Sequence, residues 1–469
     1  MQRYAAMIMM KRALALIFVL ILPCAGAADD SPTLDLLRDL IRIDTSNPPG
    51  NETTAAEYVH NLLAREGIAT EVIESAPGRG NLIARLKGEG TAEGSRKPSL
   101  LLLGHLDVVP ADPKEWGLPP FSAEIRDGEL WGRGALDMKG LAAMEIETFL
   151  RLHREKAKLA GDVILLLAAD EEAGGTMGAE FLVNNHWDKI EAKYVLNEGS
   201  VGVRKLGMDL FPIQVAEKGV TWFKLTARGT SGHGSMPISD NAVAKLARAV
   251  DLLGTHRFPF EETAVLKEFL NRVAEELVWW KRLGIRLLFT PVIGPVTRYF
   301  VAGALSEEKA VRAVLSHTIS PTMLEAGYKV NVIPAEASAS LDARILPGET
   351  PEGFLQKVRA LVGEGFDVTL IKGSIPNESD FRTDFFRVIE DAVRKQDAEA
   401  VTAPMISPGG TDSRFFREKG AIAYGLIPLL LTPEQVEGLH GKNERIPVEW
   451  VEKGTAIVYD IVKTMQGAQ

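Results

Sequence analysis

Three neighbouring carboxylates follow an apolar run in the stretch LLLAADEEAGG, residues 165–175. Asp170, Glu171 and Glu172 stand where a segment typical of a buried strand ends. Unpaired carboxylates in such a place repel one another and raise one another's pKa values. We therefore expect this acidic cluster to lie beside a source of positive charge.

Further polar side chains stand where other apolar segments end. His105 and Asp107 lie two residues apart in GHLD, so both point to one face of a predicted strand. This spacing suits a metal-binding imidazole oriented by a carboxylate, although a surface ion pair gives the same pattern. Asp137, in GRGALDMKG, is either a ligand or a helix-capping carboxylate. Glu198, in LNEGS, is either a ligand or a solvated turn residue.

The coincidence of these positions is more specific than any of them alone. The carboxyl ends of strands in open α/β sheets are where ligands collect. His440 lies between glycines in LHGKNERIP and adds a second imidazole. Two histidines and three carboxylates, one aspartate being shared, form a set suited to two divalent metal ions.

The elements that must position these residues are predicted from the alternation of apolar and amphipathic segments. SLLLLGHLD, DVILLLAADEE and AKYVLNEGS predict buried parallel strands, and a helix is predicted over 140–153. We therefore expect an α/β fold whose central sheet is mixed and mostly parallel.

A second region has a different pattern. Strand and helix signals between residues 215 and 373 follow the order βαββαβ, which is ferredoxin-like. The sequence predicts a small domain over 215–373, inserted into a larger domain that is made of 28–214 and 374–469 and carries the predicted metal ligands. Residues 256–320 are too long for a simple connection. They predict either a helical layer packed on the small domain or a surface for an apolar substrate or lipid.

Composition places the chain among globular proteins with more than one domain: 469 residues, 46% hydrophobic and 25% charged. The net charge of −10 argues against nucleic acid and anionic lipid as partners. Nothing after the first 27 residues is apolar for long enough to span a membrane.

The first 27 residues have the pattern of an export signal: basic residues, the apolar run ALALIFVLILP, and small residues before Ala28. The alternative is an uncleaved anchor, but the apolar run falls short of the roughly 20 residues that a spanning helix needs. Cleavage would remove Cys24, the single cysteine, so any metal ligands must be His, Asp or Glu. The mature protein is expected to be periplasmic or extracellular.

The chain resembles a family of co-catalytic zinc metallopeptidases that includes aminoacylase 1, carboxypeptidase G, carboxypeptidase S and succinyl-diaminopimelate desuccinylase. The resemblance covers the mature chain. Within the family, the sequence looks most similar to the secreted N-fatty-acyl-amino-acid hydrolases and carboxypeptidase S. Its motifs, in order, are LLLGHLDVVP, ELWGRGALDMKG, LAADEEAGG, VLNEGS, GTSGHGSMP, KVNVIPAEASASLDARILPG, SPGGTDSRFF and LHGKNERIP.

The resemblance implies a role for each matching residue. The metal ligands would be His105 and Glu198 for one ion, Glu172 and His440 for the other, and Asp137 between both. The catalytic residues would be Glu171 as general base, Asp107 as partner of His105, and His233, supplied from a partner subunit, as oxyanion donor. The substrate-binding residues would be Asn331, Arg344, Gly409, Gly410 and Thr411. The ions would be zinc. The trans role of His233 implies a homodimer formed through the small domain, which would serve as a lid and dimerisation domain. Met138 departs from the acidic or polar residue of many relatives.

Three hypotheses follow from this pattern. The first is a hydrolase that cleaves the amide of an N-acyl amino acid or short peptide beside a free α-carboxylate. The second is a dipeptidase or aminopeptidase that recognises a free amine. The third is an inactive binding protein, which should have lost at least one residue of the metal and base set; all six are present.

Overall fold

A computed structural model describes residues 31–89, 98–205, 207–290 and 309–467, together with Gly294 and Thr297. The predicted signal peptide, residues 1–27, and part of the 256–320 segment lie outside the described residues. The contacts reported below lie within residues 33–469, which form one compact unit. Among the described helices, none is both long enough and apolar enough to cross a membrane.

The strands are β1 Thr70–Glu74, β2 Gly80–Leu86, β3 Leu100–His105, β4 Glu124–Arg126, β5 Glu129–Trp131, β6 Val163–Ala168, β7 Tyr194–Lys205, β8 Met208–Glu217, β9 Gly219–Arg228, β10 Gly232–His233, β11 Thr318–Ala326, β12 Val332–Ile333, β13 Glu336–Ile345, β14 Phe366–Gly373, β15 Asn377–Glu378, β16 Val401–Ser407, β17 Ile422–Leu431 and β18 Arg445–Pro447.

The α-helices are α1 Pro32–Arg42, α2 Glu52–Arg65, α3 Lys139–Arg154, α4 Ala179–Asn185, α5 Trp187–Ile190, α6 Ala242–Thr255, α7 Ala264–Glu275, α8 Trp279–Leu287, α9 Lys309–Leu315, α10 Pro351–Val362, α11 Asp384–Gln396, α12 Ser413–Glu418, α13 Pro433–Val436 and α14 Val448–Gln466. Short 3₁₀ turns occur at Pro113–Glu115 and Glu171–Ala173.

Within the described residues, the largest sheet has nine strands and is called the central sheet below. Its order is β1-β2-β6-β3-β7-β17-β8-β15, and β16 also pairs with β8. The run β6-β3-β7-β17 is parallel, as is the pair β16–β8, and the outer pairs are antiparallel. The predicted α/β fold with a mixed central sheet built around parallel strands is confirmed.

Both faces of the central sheet are covered, which explains the unbroken apolar runs in the sequence. On β3, Leu100 and Leu102 belong to one buried cluster, which includes residues of α1, α3 and α14. Leu101 and Leu103 point to the opposite face and pack with residues of α4 and α12. Every residue of β3 and β6 is therefore buried, and a polar residue enters only where each strand ends.

Four antiparallel strands in the order β11-β13-β9-β14 form a second sheet, called the small sheet below. Helices α6 and α10 cover one of its faces, with Phe223, Leu246 and Phe354 buried between them. The element order β9-α6-β11-β13-α10-β14 has the predicted ferredoxin-like βαββαβ arrangement. The domain boundaries, and a lid or dimerisation role for this part, stay predictions.

The helical segment after α6 packs differently from the prediction. Val265 of α7 joins the buried cluster of the central sheet, and α7 lies against β16. Arg272 of α7 pairs with Glu390 of α11 and donates to the Thr402 carbonyl oxygen at 3.3 Å. The prediction of a layer packed on the small domain is wrong for α7, because its apolar stripe and its buried ion pair both face the central sheet.

Candidate active site

Two groups of possible metal ligands share one aspartate. His105, Asp137 and Glu198 form the first group, and Asp137, Glu172 and His440 form the second. Within each group the ligand atoms lie within 4.8 Å of one another. The two carboxylate oxygens of Asp137 face different histidines: Oδ1 lies 3.2 Å from His105 Nε2, and Oδ2 lies 2.9 Å from His440 Nε2. The structure thus brings all five predicted ligands together, with Asp137 between the two histidines.

The central sheet explains why three of these residues converge. His105 is the last residue of β3 and is level with Ala168, the last residue of the parallel strand β6. Glu172 follows β6 in a 3₁₀ turn, and Glu198 lies on β7, on the other side of β3. Asp137 precedes α3, and His440 lies in the loop after α13 with a backbone φ of 54°.

The loop before α3 approaches the helix closely. A Cβ atom at Gly140 would lie 2.3 Å from the Ala135 carbonyl oxygen, so this position excludes any larger residue. Met138 is fully buried, and its sulfur accepts the backbone N–H of His105 at 3.2 Å. The methionine after Asp137 therefore packs behind the first histidine, away from solvent.

Asp107 orients three neighbours with one carboxylate. It accepts the backbone N–H groups of Glu171 and Glu172, each at 3.1 Å, and the side-chain amide of Asn47 at 2.9 Å. His105 Nδ1 lies 3.0 Å from the Asp107 carbonyl oxygen and 3.3 Å from carboxylate Oδ1. Because Asp107 engages Nδ1, the other ring nitrogen, Nε2, faces Asp137 and Glu198, as expected for an imidazole oriented by a carboxylate.

The third member of the acidic cluster is neutralised from within the chain. Asp170 has a backbone φ of 69° and forms an ion pair with Arg79, which also lies 3.2 Å from Glu52. Asn47 donates to Asp170 at 3.2 Å as well as to Asp107. Arg79 and Asn47 carry no sequence signal that marks them, because they reach Asp170 only through the fold.

Burial and neighbouring groups shift the pKa values of several side chains in this cluster. Burial, followed by the charge of Asp137, raises the pKa of Glu198 to about 8. Burial and the charge of Glu198 raise the pKa of Glu171 well above its usual range. Hydrogen bonds to Asp137 and Glu172 raise the pKa of His440 to about 10. Burial and neighbouring negative charge thus oppose the ionisation of Glu171 and Glu198, and a bound cation would favour it.

The chemistry of these donors fits divalent metal ions. Among the described residues, the buried Oε1 of Glu172 has no hydrogen-bond partner, and neither has either carboxylate oxygen of Asp412. Burial raises the pKa of Asp412 to about 7. Imidazole and carboxylate groups within ligand distance of one another, with oxygens left unsatisfied, suit two such ions. Asp412 was not selected as a site residue from the sequence, although it lies in the motif SPGGTDSRFF.

A cleft of about 1100 Å³ opens beside these residues. Glu171, Glu172 and His440 line it together with three of the predicted substrate contacts, Arg344, Gly409 and Gly410. The remaining lining includes side chains that sequence reasoning did not select: Trp222, Lys372, Ile375, Arg414 and Phe415. These side chains belong to the small sheet and to the segments that follow β14 and β16. No local sequence pattern reveals that these parts of the chain lie close to Glu171.

Three predicted substrate contacts have partners elsewhere in the chain. Arg344 forms a two-point ion pair with Asp342, at 2.8 and 3.0 Å. Thr411 donates its N–H and its hydroxyl to the buried Glu217, at 3.0 and 2.7 Å, and does not line the cleft. The predicted substrate contact of Thr411 stays a prediction, and in this structure the residue binds Glu217. Gly409 donates its N–H to the Ser407 hydroxyl at 3.1 Å.

His233 and Asn331 lie apart from this cleft. His233 is exposed and pairs with Val332 in the short ladder β10–β12, and Gly234 N–H donates to the Asn331 carbonyl oxygen at 2.9 Å. The two residues are thus neighbours of each other, and neither is among the described residues that line the cleft. Their predicted roles depend on a second subunit and stay predictions.

Comparisons with known proteins agree with this geometry. The model of "Peptidase family M20/M25/M40" matches residues 101–464. The human N-fatty-acyl-amino acid synthase/hydrolase PM20D1 is 28% identical over 450 residues, covering 92% of this chain and 87% of that protein. Aminoacylase-1 of Sus scrofa is 26% identical, covering 90% and 92%. An M20 family metallo-carboxypeptidase structure from Sulfolobus solfataricus aligns with a TM-score of 0.70 at 20% identity, covering 93% and 99%.

Proposed function

Because the chain belongs to peptidase family M20/M25/M40, a family of metal-dependent hydrolases of peptides and N-acyl amino acids, we propose that it cleaves an amide next to a free α-carboxylate. The proposed substrates are N-acyl amino acids, with short peptides as the related class. The proposed cofactors are two divalent ions, with zinc as the metal, since imidazole and carboxylate ligands suit it.

One observation carries this proposal. Asp137 lies between two histidines, each of which faces a further carboxylate, and this pair of ligand groups adjoins a cleft with Glu171 at its wall. A single-metal site needs no shared aspartate, and a binding protein needs no base beside it. Two ions held there would acidify a water molecule and polarise a carbonyl group.

Glu171 is proposed to move the proton. Its backbone N–H is fixed by Asp107 beside that of Glu172, and its own carboxyl lies outside both ligand groups. The raised pKa of its buried carboxyl suits a group that accepts a proton from water and returns it to the leaving nitrogen. Asp107 keeps its contacts with Nδ1 of His105 during these transfers.

The cleft offers separate surfaces for the two ends of such a substrate. Arg344 and the backbone at Gly410 are proposed to contact the α-carboxylate. Trp222, Ile375 and Phe415 form an apolar part of the lining, against which we place the acyl group. The described residues of the 256–320 segment do not line the cleft, so this proposal needs no acyl-chain role for that segment.

The test is a substrate panel assayed with purified protein and a metal count. N-acetyl and N-dodecanoyl forms of one amino acid are compared with the matching unblocked dipeptide. We expect both acylated substrates to be cleaved, the longer chain with the higher kcat/KM, and all activity to be lost on chelation. Activity restricted to the dipeptide would replace the proposal with a free-amine peptidase, and chelator-resistant turnover would contradict it.

Two further proposals concern the protein in its setting. We propose that the chain is exported, on the strength of the basic, apolar and small-residue pattern of residues 1–27. We also propose a homodimer in which His233 of one subunit serves the partner's cleft, because His233 is exposed and does not line the cleft of its own chain. Sedimentation velocity tests whether the protein is a dimer. The role of His233 is tested by mixing His233→Ala subunits with Glu171→Gln subunits, because the mixture should regain the activity that each variant lacks alone.

A further inference from the structure

We propose that Glu444 sets the spacing of the two metal positions by binding the Asp137 loop and the His440 loop with one carboxylate. Glu444 contacts neither group of ligand atoms and is therefore a positioning residue. The inference rests on the proposed two-ion site, and it adds the residue that holds the two ligand groups at a fixed position relative to each other. The contacts of Glu444 with residues 133–137 and, through Arg133, with Gly441 are called the clamp below.

The first half of this clamp is a set of backbone contacts. Glu444 Oε1 accepts the N–H groups of Leu136 and Asp137, at 2.7 and 3.0 Å. Its Oε2 accepts the N–H of Gly134 at 3.0 Å. Three of the four residues from 134 to 137 thus point their donors at one carboxylate, which fixes the chain that leads into the shared ligand.

The second half runs through Arg133. Its Nη1 donates to Glu444 Oε2 at 2.6 Å, and its Nη2 donates at 2.6 Å to the carbonyl oxygen of Gly441, the residue after His440. The guanidinium also lies 5.2 Å from the ring centroid of Trp116. Arg133 therefore links the carboxylate to the loop that carries the second histidine.

Burial makes this arrangement rigid. Glu444 is fully buried and Arg133 is 3% exposed, whereas the His440 side chain is 54% exposed. Both carboxylate oxygens accept two hydrogen bonds each, which is a strongly determined geometry for a charged acceptor. The half-exposed histidine depends on its loop for position, while His105 is held by the buried strand β3.

The clamp should therefore matter unequally to the two ions. Loss of the clamp displaces Asp137 and His440 relative to each other, and both belong to the group completed by Glu172. The group of His105, Asp137 and Glu198 keeps two ligands on the strands of the central sheet. We expect the ion at Asp137, Glu172 and His440 to be weakened at least tenfold, the lower range for a lost supporting contact.

The experiment is a Zn²⁺ titration of chelator-treated full-length protein by calorimetry, with bound metal counted after dialysis. Glu444→Gln keeps the shape of the side chain but turns one acceptor into a donor facing N–H groups. The wild type should bind two ions, and E444Q should bind one tightly and the second at least tenfold more weakly. The matched control is Glu390→Gln, which disrupts the ion pair of the buried Glu390 with Arg272, neither of which lines the cleft, and this variant should bind two ions as the wild type does.

The outcomes separate this inference from the proposed function. A wild type that binds fewer than two ions overturns the two-ion site itself. Two ions of unchanged affinity in E444Q overturn the clamp and leave the site intact, and the same selective loss in E390Q would show a general effect of stability. If E444Q does not fold, Arg133→Lys decides: it keeps the charge but cannot reach both Glu444 and Gly441, so the second ion should again weaken and unchanged binding refutes the clamp.

Discussion

Asp107 determines where Glu171 and Glu172 lie, because its carboxylate accepts the backbone N–H groups of both. The two side chains then diverge: a Glu172 oxygen lies 3.1 Å from His440 Nε2, and Glu171 lines the cleft outside both ligand groups. Adjacent residues can thus differ in chemistry, since the turn that holds them presents each to a different neighbour.

Replacement of Glu171 by glutamine should stop turnover and keep the metal. The variant removes the carboxyl group proposed to carry the proton but leaves the five ligands, so kcat should fall about 10²- to 10⁴-fold with two ions still bound. Steady-state kinetics and metal analysis on the same sample measure both quantities. Glu180→Gln changes another carboxylate of the cleft wall and is the control; a Glu171→Gln variant with near-normal kcat would refute the assigned role.

Arg79 should be one of the most costly single residues to remove. Arg79→Met leaves the buried Asp170 without its ion-pair partner, and breaking a buried pair costs about 3–5 kcal/mol. The free energy of unfolding from urea titrations gives the loss. Arg204→Met, at an exposed pair with Asp209, should cost less than about 1 kcal/mol. Equal losses for the two variants would show that burial does not matter here.

Residue types and spacing predicted which side chains would be drawn together, but not what holds them there. His105, Asp137, Glu172, Glu198 and His440 stand beside glycines or at the ends of apolar runs, which are local signals. Asn47, Arg79 and Glu444 act through contacts between segments far apart in the chain, so no sequence motif with a fixed spacing marks them. The contact of Thr411 with Glu217 was likewise not predicted, because its acceptor lies on a strand far away in the sequence.

At the scale of elements, the parallel run β6-β3-β7 concentrates the ligands, because β3 and β6 end together at His105 and Ala168 and Glu198 lies on β7, the other neighbour of β3. The apolar runs of these strands were readable from the sequence because both faces are buried, but the continuation of β7 beyond Glu198 to Lys205 was not. The packing partner of α7 was not, since its amphipathic stripe predicts that it covers an apolar surface and not which one. That choice depends on Arg272 meeting Glu390, a contact between distant segments.

Lys218, between β8 and β9, should make stability depend on pH. Burial, together with the charges of Arg344 and Arg312, lowers the pKa of its ammonium group to about 7 from an ordinary value near 10.5. Between these values the unfolded chain binds a proton that the folded chain does not. The free energy of unfolding should therefore rise with pH in this window, by at most about 1.4 kcal/mol per pH unit from this group.

Urea unfolding at pH 7 and pH 9 measures this effect. Lys218→Met removes the titrating group, so the stability of the wild type relative to this variant should be greater at pH 9 than at pH 7. Lys267→Met, on the exposed side of α7, provides a control whose difference from the wild type should not change with pH. Parallel pH profiles for the wild type and Lys218→Met would show that burial of Lys218 carries no proton linkage.

At the scale of the whole molecule, the metal site joins segments from both ends of the described chain. Asp137 precedes α3, and His440 lies near the last helix, so ions bound there would cross-link distant parts of the fold. Removal of metal should lower the melting temperature: a ligand at 100 times its Kd contributes about 2.7 kcal/mol to folded stability. Thermal unfolding with chelator, and again after Zn²⁺ is restored, measures the shift.

A His440→Ala variant is the control for that experiment, because it removes one ligand without changing the buried strands. It should show a smaller chelator-induced shift than the wild type. A melting temperature that does not respond to chelation in the wild type would mean that metal binding and folding are independent.

The order of strands in the central sheet also has a consequence for synthesis. β17 lies between β7 and β8, yet it is made long after both, when every strand of the small sheet has left the ribosome. A nascent chain therefore carries an unpaired, apolar edge at β7 while the small sheet is already able to close. Such an edge recruits other chains, so truncation before Ile422 should yield aggregates.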